Sequence, residues 1–175
     1  MYYGAMNAGK TAIAISKAHE FSEHGKKVYV YLPNTCWKPE IESRSGLKWP
    51  VSDELLGDSH LQIIEDNSVV IVDEGQFLSE EATISLKRMS STKNVLVFWY
   101  GLLTDYARNL FEGTKYALQV ADTVREIPCM CNNCDKKAQY NYRITNDQGV
   151  VVLNKEKYKS LCFNCFERAV NDGCF

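Results

Sequence analysis

Residues 4–11 read Gly4-Ala5-Met6-Asn7-Ala8-Gly9-Lys10-Thr11, which fits the phosphate-loop pattern G-x-x-x-x-G-K-[S/T]. Glycines in such a loop let backbone N–H groups wrap a phosphate at the N-terminus of the next helix. In this pattern the Lys10 side chain binds the β- and γ-phosphate oxygens, and the Thr11 hydroxyl binds Mg²⁺. An ordinary glycine turn is the alternative. We assign to the phosphate site Gly4, Met6, Asn7, Ala8, Gly9, Lys10 and Thr11.

The sequence that follows alternates helical and strand patterns. Apolar residues have helical spacing from Lys10 to His24, and the stretch from Ser79 to Met89 opens with acids that suit a helix N-terminus. A strand is predicted at Val28–Leu32, and the almost wholly apolar runs Ser68–Val72 and Val95–Trp99 are typical of parallel strands covered on both faces. We predict an α/β fold with a parallel P-loop sheet of the RecA-like type. Residues 33–60 show no clear periodicity, and long loops of this kind are usually functional.

Two carboxylates, Asp73 and Glu74, follow the buried run Val69–Val72 directly. They stand at the C-terminal end of a predicted strand, where open parallel sheets bind their ligands. We expect Asp73 to face Mg²⁺ beside Thr11 and Glu74 to be the base for an attacking hydroxyl or water. A solvated acidic turn is the alternative. These motifs predict a nucleoside triphosphate with magnesium but do not identify the phosphate acceptor.

Four of the seven cysteines form two Cys-x-x-Cys pairs near the C-terminus, Cys131 with Cys134 and Cys162 with Cys165. Two such knuckles can surround a tetrahedral Zn²⁺, and four thiolates leave no open position for water. The pattern predicts a structural zinc site. Cys129 is an alternative ligand, and redox use of the pairs is a second alternative.

The composition separates the broad classes of protein. A net charge of −2 gives no basic surface for gripping nucleic acid, and no apolar run is long enough for a membrane span. We expect a cytoplasmic protein with neither nucleic acid nor a membrane as partner. The change of composition near Ile127 predicts a nucleotide-binding domain over residues 1–127 and a cysteine-rich domain over residues 128–175.

Several short motifs together resemble one family, the zinc-containing thymidine kinases, most closely the bacterial and bacteriophage form. The matching stretches, besides the cysteine quartet, are Gly4 to Lys10, Asp73-Glu74-Gly75-Gln76-Phe77, Tyr100-Gly101-Leu102, Thr104-Asp105-Tyr106 and Phe111-Glu112-Gly113. They span nearly the whole chain in the right order. Asp-Glu-Gly-Gln-Phe is far more specific than a phosphate loop alone.

The resemblance implies an enzyme that transfers the γ-phosphate of ATP to the 5′-hydroxyl of thymidine, and of deoxyuridine as a further substrate. It implies that Glu74 accepts the hydroxyl proton and that residues 128–175 form a zinc-bound lasso over the base. The positions that match nucleoside contacts are Met6, Phe77, Leu102, Tyr106, Phe111, Asn141, Val151 and Tyr158. The family is typically homotetrameric and inhibited by thymidine triphosphate (dTTP).

The chain departs from the family pattern at several positions. Asn34-Thr35-Cys36 stands where the family often has Asp-x-Arg near the reacting phosphates, which leaves arginine assistance open. Leu103 replaces a frequent arginine, and residues 151–154 lack the usual lasso glycines. Asn141 occupies a commonly small position facing the base, which bears on the choice between pyrimidines.

Two rival functions remain at the sequence level. One is an ATPase or nucleic-acid motor subunit with a zinc knuckle, which would hydrolyse ATP with nucleic acid and ignore nucleosides. The other is a weakly active relative that binds dTTP as a sensor, suggested by Asn34 and Cys36 in place of charged residues.

Overall fold

A computed structural model describes residues 1–54, 63–144 and 157–171 of the chain. Its strands are β1 (Tyr2–Tyr3), β2 (Val28–Leu32), β3 (Glu40–Glu42), β4 (Lys48–Pro50), β5 (Asp53–Glu54), β6 (Val69–Val72), β7 (Leu96–Gly101), β8 (Arg125–Glu126), β9 (Tyr140–Arg143) and β10 (Tyr158–Leu161). Its α-helices are α1 (Lys10–Glu23), α2 (Glu80–Thr92), α3 (Glu112–Val120) and α4 (Phe163–Asn171). Within these ranges, no helix is both long and apolar enough to cross a bilayer.

Six parallel strands form the central sheet, in the order β5-β2-β6-β7-β1-β8. Strand β7 lies between β1, which leads into the phosphate loop, and β6, which Asp73 follows, in agreement with the predicted RecA-like core. Val72 pairs with Trp99 and Tyr3 with Gly101, so β1 and β6 end at the same edge of the sheet. The register therefore brings the phosphate loop and the two carboxylates to one place.

Helices cover both faces of the sheet, which explains why β6 is buried along its whole length. On one face, Ala14, Ile15 and Ala18 of α1 pack with the sheet residues Val69 and Ile71. On the other face, α2 packs its buried residues against Val70 and Val72. The N-terminus of α2 is capped by the Ser79 hydroxyl, which accepts a 3.2 Å hydrogen bond from the Ala82 amide. Both predicted helices are confirmed.

The segment after β2 differs from its sequence-based description. It contains a 3₁₀ turn at Asn34–Cys36 and an antiparallel hairpin in which β3 pairs with β4. Three-residue strands are too short to give a readable alternation of polar and apolar residues. Ile41, in the middle of β3, is fully buried in the cluster formed by α1 and the sheet. Ile41, which the pattern did not single out, therefore attaches the hairpin to the core together with Trp49 of β4, which packs against the same cluster.

The C-terminal lobe, defined here as residues 128–144 and 157–171, contains β9, β10 and α4. Strand β9 lies inside the predicted strand Ala138–Ile144, and it pairs antiparallel with β10. The predicted strand at Val150–Leu153 and the turn at Asn146–Gly149 fall outside the described residues. The division of the chain into domains at residue 127 stays a prediction.

Candidate active site

The phosphate loop connects β1 to α1 and has two left-handed residues, Asn7 (φ 69°) and Gly9 (φ 79°). Gly4 is required for another reason: a Cβ there would lie 2.5 Å from the Ile127 carbonyl oxygen. Lys10 turns back across the loop, where its ammonium donates to the carbonyl oxygens of Gly4 (3.0 Å) and Ala5 (2.9 Å). A buried cation is thus held inside the loop, as phosphate binding requires.

Asp73 joins the end of β6 to the start of α1. Its Oδ2 accepts a 2.8 Å hydrogen bond from the Thr11 hydroxyl, and its Oδ1 accepts one of 3.1 Å from the Glu74 amide. Burial, with the negative charge of Glu74 adding to it, raises the pKa of Asp73 to about 6, although Thr11 and Lys10 oppose the shift. A hydroxyl and a carboxylate side by side are the oxygen donors that Mg²⁺ prefers, so these residues fit that ion.

Glu74 directly follows Asp73 and has a left-handed backbone (φ 54°), which turns the chain out of the strand. Its half-buried carboxylate accepts a 2.8 Å hydrogen bond from the Gln76 side-chain amide. The oxygen of the same Gln76 amide accepts a 3.0 Å bond from the backbone N–H of Leu102. Gln76 is buried, so Glu74 is oriented by a side chain that is itself fixed to β7.

A cavity of about 350 Å³ opens beside Glu74. It is lined by seven of the eight residues predicted to contact a nucleoside: Met6, Phe77, Leu102, Tyr106, Phe111, Asn141 and Tyr158. Val151, the eighth, lies outside the described residues. The structure therefore brings together side chains from the phosphate loop, the sheet edge and the C-terminal lobe. Their individual roles stay predictions.

Other lining residues were not singled out from the sequence as nucleoside contacts. They are Leu32, Thr35, Cys36, Trp37, Lys38, Gln76, Thr104 and Asp105. Half of them follow β2, and the signal that could have found those four is their position just past the C-terminal end of a strand next to β6. Cys36 carries a neutral thiol, because burial, followed by the charge of Glu74, raises its pKa to about 12.

A second cavity, of about 250 Å³, lies against the phosphate loop and includes Lys10 and Thr11. The tip of the β3–β4 hairpin forms its opposite wall with Ser43, Arg44 and Ser45. The sequence did not show whether an arginine contacts the reacting phosphates, because Asn34-Thr35-Cys36 lacks the arginine that the family often has. The structure places an arginine at a different position, Arg44, among the residues that line this cavity.

The two cavities share three residues, Met6, Glu74 and Leu102. A group bound in the first cavity and a phosphate bound in the second would therefore meet at these residues. Glu74 is the acidic side chain at this junction, and it is the residue expected to accept a proton.

Four cysteine sulfurs converge in the C-terminal lobe: those of Cys131, Cys134, Cys162 and Cys165 lie within 4.8 Å of one another. The sulfur of Cys134 is 3.6 Å from that of Cys162 and 3.7 Å from that of Cys165. A zinc–sulfur distance of about 2.3 Å gives tetrahedron edges of about 3.8 Å, so the quartet fits Zn²⁺. Cys129 stays outside the cluster, and its sulfur instead faces the Met6 carbonyl oxygen at 3.9 Å.

Comparison with known proteins agrees with this geometry. A family model described as thymidine kinase matches residues 1–166. Thymidine kinase of Streptococcus agalactiae serotype Ia is 36% identical over 155 residues, which cover 85% of this chain and 82% of the relative. Thymidine kinase of Enterobacteria phage T4 is 36% identical over 178 residues, which cover 91% of this chain and 90% of the relative. The resemblance inferred from the motifs is confirmed, and the chain belongs to the thymidine kinase family.

Proposed function

We propose that the protein phosphorylates thymidine, transferring the γ-phosphate of ATP to the 5′-hydroxyl to give thymidine monophosphate in nucleotide salvage. The observation that carries the proposal is the meeting of the two cavities at Met6, Glu74 and Leu102. One cavity has the apolar and aromatic lining that suits a nucleoside base. The other cavity is lined by the phosphate loop and by the Lys10 side chain, which suit a triphosphate.

The nucleoside cavity has rigid aromatic walls. Phe77 and Phe111 pack edge to face with their ring centroids 5.6 Å apart. The Tyr106 ring lies under the Arg143 guanidinium, which is 3.7 Å from its centroid. Flat, fixed apolar surfaces favour a planar pyrimidine with a methyl group, since the base can be stacked without ordering flexible side chains. Deoxyuridine lacks only that methyl group, so we propose it as a second, weaker substrate.

The triphosphate is held by the loop amides, Lys10 and the helix N-terminus of α1. Thr11 and Asp73 would hold Mg²⁺, which neutralises charge on the phosphate oxygens when bound. Arg44, at the hairpin tip, lines the same cavity as Lys10 and adds a second positive charge to it. The Lys10 ammonium, which donates to the Gly4 and Ala5 carbonyl oxygens, would bind the phosphate oxygens.

Glu74 accepts the proton of the 5′-hydroxyl. The hydroxyl is a weak nucleophile, and a carboxylate at the cavity junction can remove its proton as the new bond to phosphorus forms. Gln76 keeps the carboxylate pointed toward the junction through the 2.8 Å hydrogen bond. Asp73 does not serve as this base because its carboxylate is already engaged by Thr11 and the Glu74 amide.

Further family properties complete the proposal. The cysteine quartet holds structural Zn²⁺, the protein is cytoplasmic and homotetrameric, and dTTP inhibits it as the end product. The family resemblance supports these properties, and the sulfur geometry adds support for zinc alone.

The test is ADP formation from ATP and Mg²⁺ across a panel of nucleosides. Thymidine should give the highest rate and deoxyuridine a lower one, with purine nucleosides inactive. ATP hydrolysis stimulated by DNA and indifferent to nucleosides would support the motor reading instead. Tight dTTP binding without thymidine-dependent ADP formation would support the sensor reading, and either result would overturn the kinase.

A further inference from the structure

Both backbone polar groups of Met6 are hydrogen-bonded to the C-terminal lobe. The Met6 N–H donates a 2.7 Å bond to Oδ1 of Asn141, and the Met6 carbonyl oxygen accepts a bond from the Ser160 hydroxyl. We propose that Asn141 and Ser160 are positioning residues that fix the phosphate loop at the junction of the two cavities. The inference rests on the proposed function for its kinetic consequence, while the contacts themselves do not depend on it.

The two residues form one unit. Asn141 of β9 and Ser160 of β10 are directly opposite each other in the hairpin register, so their side chains project from the same face. They are 4% and 1% exposed, so water competes little for these bonds. Hydrogen bonds in such surroundings are stronger than in water, and losing the Asn141 bond removes the side-chain acceptor of the Met6 N–H.

Both polar groups of the Asn141 side chain are hydrogen-bonded to backbone atoms. While its Oδ1 accepts from Met6, its Nδ2 donates a 3.3 Å bond to the Thr104 carbonyl oxygen. Thr104 precedes Asp105 and Tyr106, which line the same cavity. Asn141 therefore connects the phosphate loop to the nucleoside wall, and we assign it bracing of the site rather than recognition of base edges.

Ser160 is itself tied to a cysteine knuckle. Its backbone N–H donates a 2.7 Å bond to the Asn132 side chain, and its carbonyl oxygen accepts a 2.8 Å bond from the Asn132 N–H. Asn132 lies between Cys131 and Cys134 of the quartet. A continuous set of bonds thus runs from the knuckle through Ser160 to Met6, which gives the C-terminal lobe a role in aligning the transferred phosphate.

Alignment matters most in the transfer step itself. Met6 lines both cavities, so movement of its backbone shifts the phosphate loop relative to the nucleoside. A displacement of about 1 Å between reacting groups can slow a reaction roughly 100-fold without abolishing binding. The hydrogen bonds from Asn141 and Ser160 to Met6, called the brace below, should therefore affect kcat more than thymidine affinity.

The experiment compares Asn141→Leu, Ser160→Ala and the double variant with the wild type. Tyr142→Phe is the matched control, because it removes a hydrogen bond from β9 to Ala169 within the C-terminal lobe and leaves Met6 untouched. We expect each single variant to lower kcat by roughly 10- to 100-fold. Directly measured thymidine binding and zinc content should stay close to those of the wild type. The double variant should lose less than the product of the two single losses, because both act on Met6.

Amide hydrogen exchange at Met6 tests the brace without relying on catalysis. The Asn141→Leu variant should exchange this amide faster than the wild type, and Tyr142→Phe should not. Unchanged exchange, a loss confined to thymidine affinity, or fully multiplicative losses in the double variant would overturn the inference. If wild-type protein fails to phosphorylate thymidine, the proposed function is wrong. The exchange rates at Met6 still test whether Asn141 and Ser160 fix the loop. If Asn141→Leu does not fold, Ser160→Ala tests the inference instead: its kcat should fall while its thymidine affinity stays close to that of the wild type.

Discussion

The Thr11 hydroxyl donates a 2.8 Å hydrogen bond to Oδ2 of Asp73, which links the first turn of α1 to the end of β6. The carboxylate is only 3% exposed. A negative charge in this position is costly because burial removes its hydration, and Thr11 and Lys10 offset only part of that cost. A Mg²⁺ ion held by Thr11 and Asp73 would stabilise this charge further.

Replacing Asp73 with Asn should stabilise the ligand-free protein at neutral pH while abolishing phosphoryl transfer. The folded pKa is about 6 against an ordinary 3.8, so the protonated acid contributes stability at low pH that is lost as pH rises through 6. The gain in melting temperature from Asp73→Asn should therefore be present at neutral pH and shrink toward pH 3.8. Thermal melts measure this, with the exposed Asp66→Asn as control. A lower melting temperature at neutral pH would contradict the assigned cost.

The sequence predicted the parts of the site that depend on local pattern. The phosphate loop, the Asp73-Glu74 pair and the two cysteine knuckles are each set by a few neighbouring residues, and the parallel sheet places the first two together. The motif resemblance added residues far apart in the chain, such as Phe77 and Tyr158, and these line one cavity.

The other features of the site depend on tertiary contacts, which produce no periodic pattern in the sequence. Arg44 lines the phosphate cavity in a hairpin that Ile41 and Trp49 pack against the core, and three-residue strands carry too little pattern to predict this. The bonds from Asn141 and Ser160 to Met6 join residues more than a hundred positions apart. No spacing rule connects them, so only the folded chain identifies them.

The cysteine quartet should hold one Zn²⁺ per chain, because its four sulfurs already have near-tetrahedral separations. Cys131→Ser should lose zinc and unfold at a lower temperature, since metal binding contributes to folding. Elemental analysis of protein purified without chelators measures the zinc. Cys36→Ser, outside the quartet, should retain it. Zinc-free wild-type protein, or unchanged zinc in Cys131→Ser, would refute the assignment.

Arg44→Ala should lower kcat/KM for ATP by about 10-fold or more, although by less than the 10³ to 10⁵ associated with a fully enclosed arginine finger. Arg44 is exposed at the hairpin tip, so solvent weakens its effect. Arg44→Lys should be intermediate, because lysine retains the charge but not the planar fork. Steady-state kinetics with varied ATP measures both, and the exposed Arg88→Ala is the control. If Arg44→Ala has the same kcat/KM for ATP as the wild type, Arg44 does not contribute to phosphate binding.

The protein should be a homotetramer, an expectation that rests on the family resemblance. Light scattering over a range of concentrations measures the mass against the 19.9 kDa chain. A monomer at every concentration would defeat this expectation and leave the proposed kinase activity in place.

Glu74→Gln separates the kinase from both rival functions. Glutamine keeps the shape of the side chain and can still hydrogen-bond to Gln76, but it cannot accept the 5′-hydroxyl proton. We expect kcat to fall roughly 10²- to 10⁴-fold, the usual contribution of a general base.

Thymidine binding should survive this change, because the cavity walls are formed by other side chains, Phe77, Tyr106 and Phe111 among them. Turnover and equilibrium binding must therefore be measured on the same preparation, with Glu81→Gln, at an exposed position of α2, as the control. A motor ATPase would lose nucleoside-independent hydrolysis instead, and a sensor would show no turnover to lose. Near-normal phosphorylation by Glu74→Gln would mean that another group takes the proton. The adjacent Asp73 is poorly placed for that task, because its carboxylate is bonded to Thr11 and to the Glu74 amide.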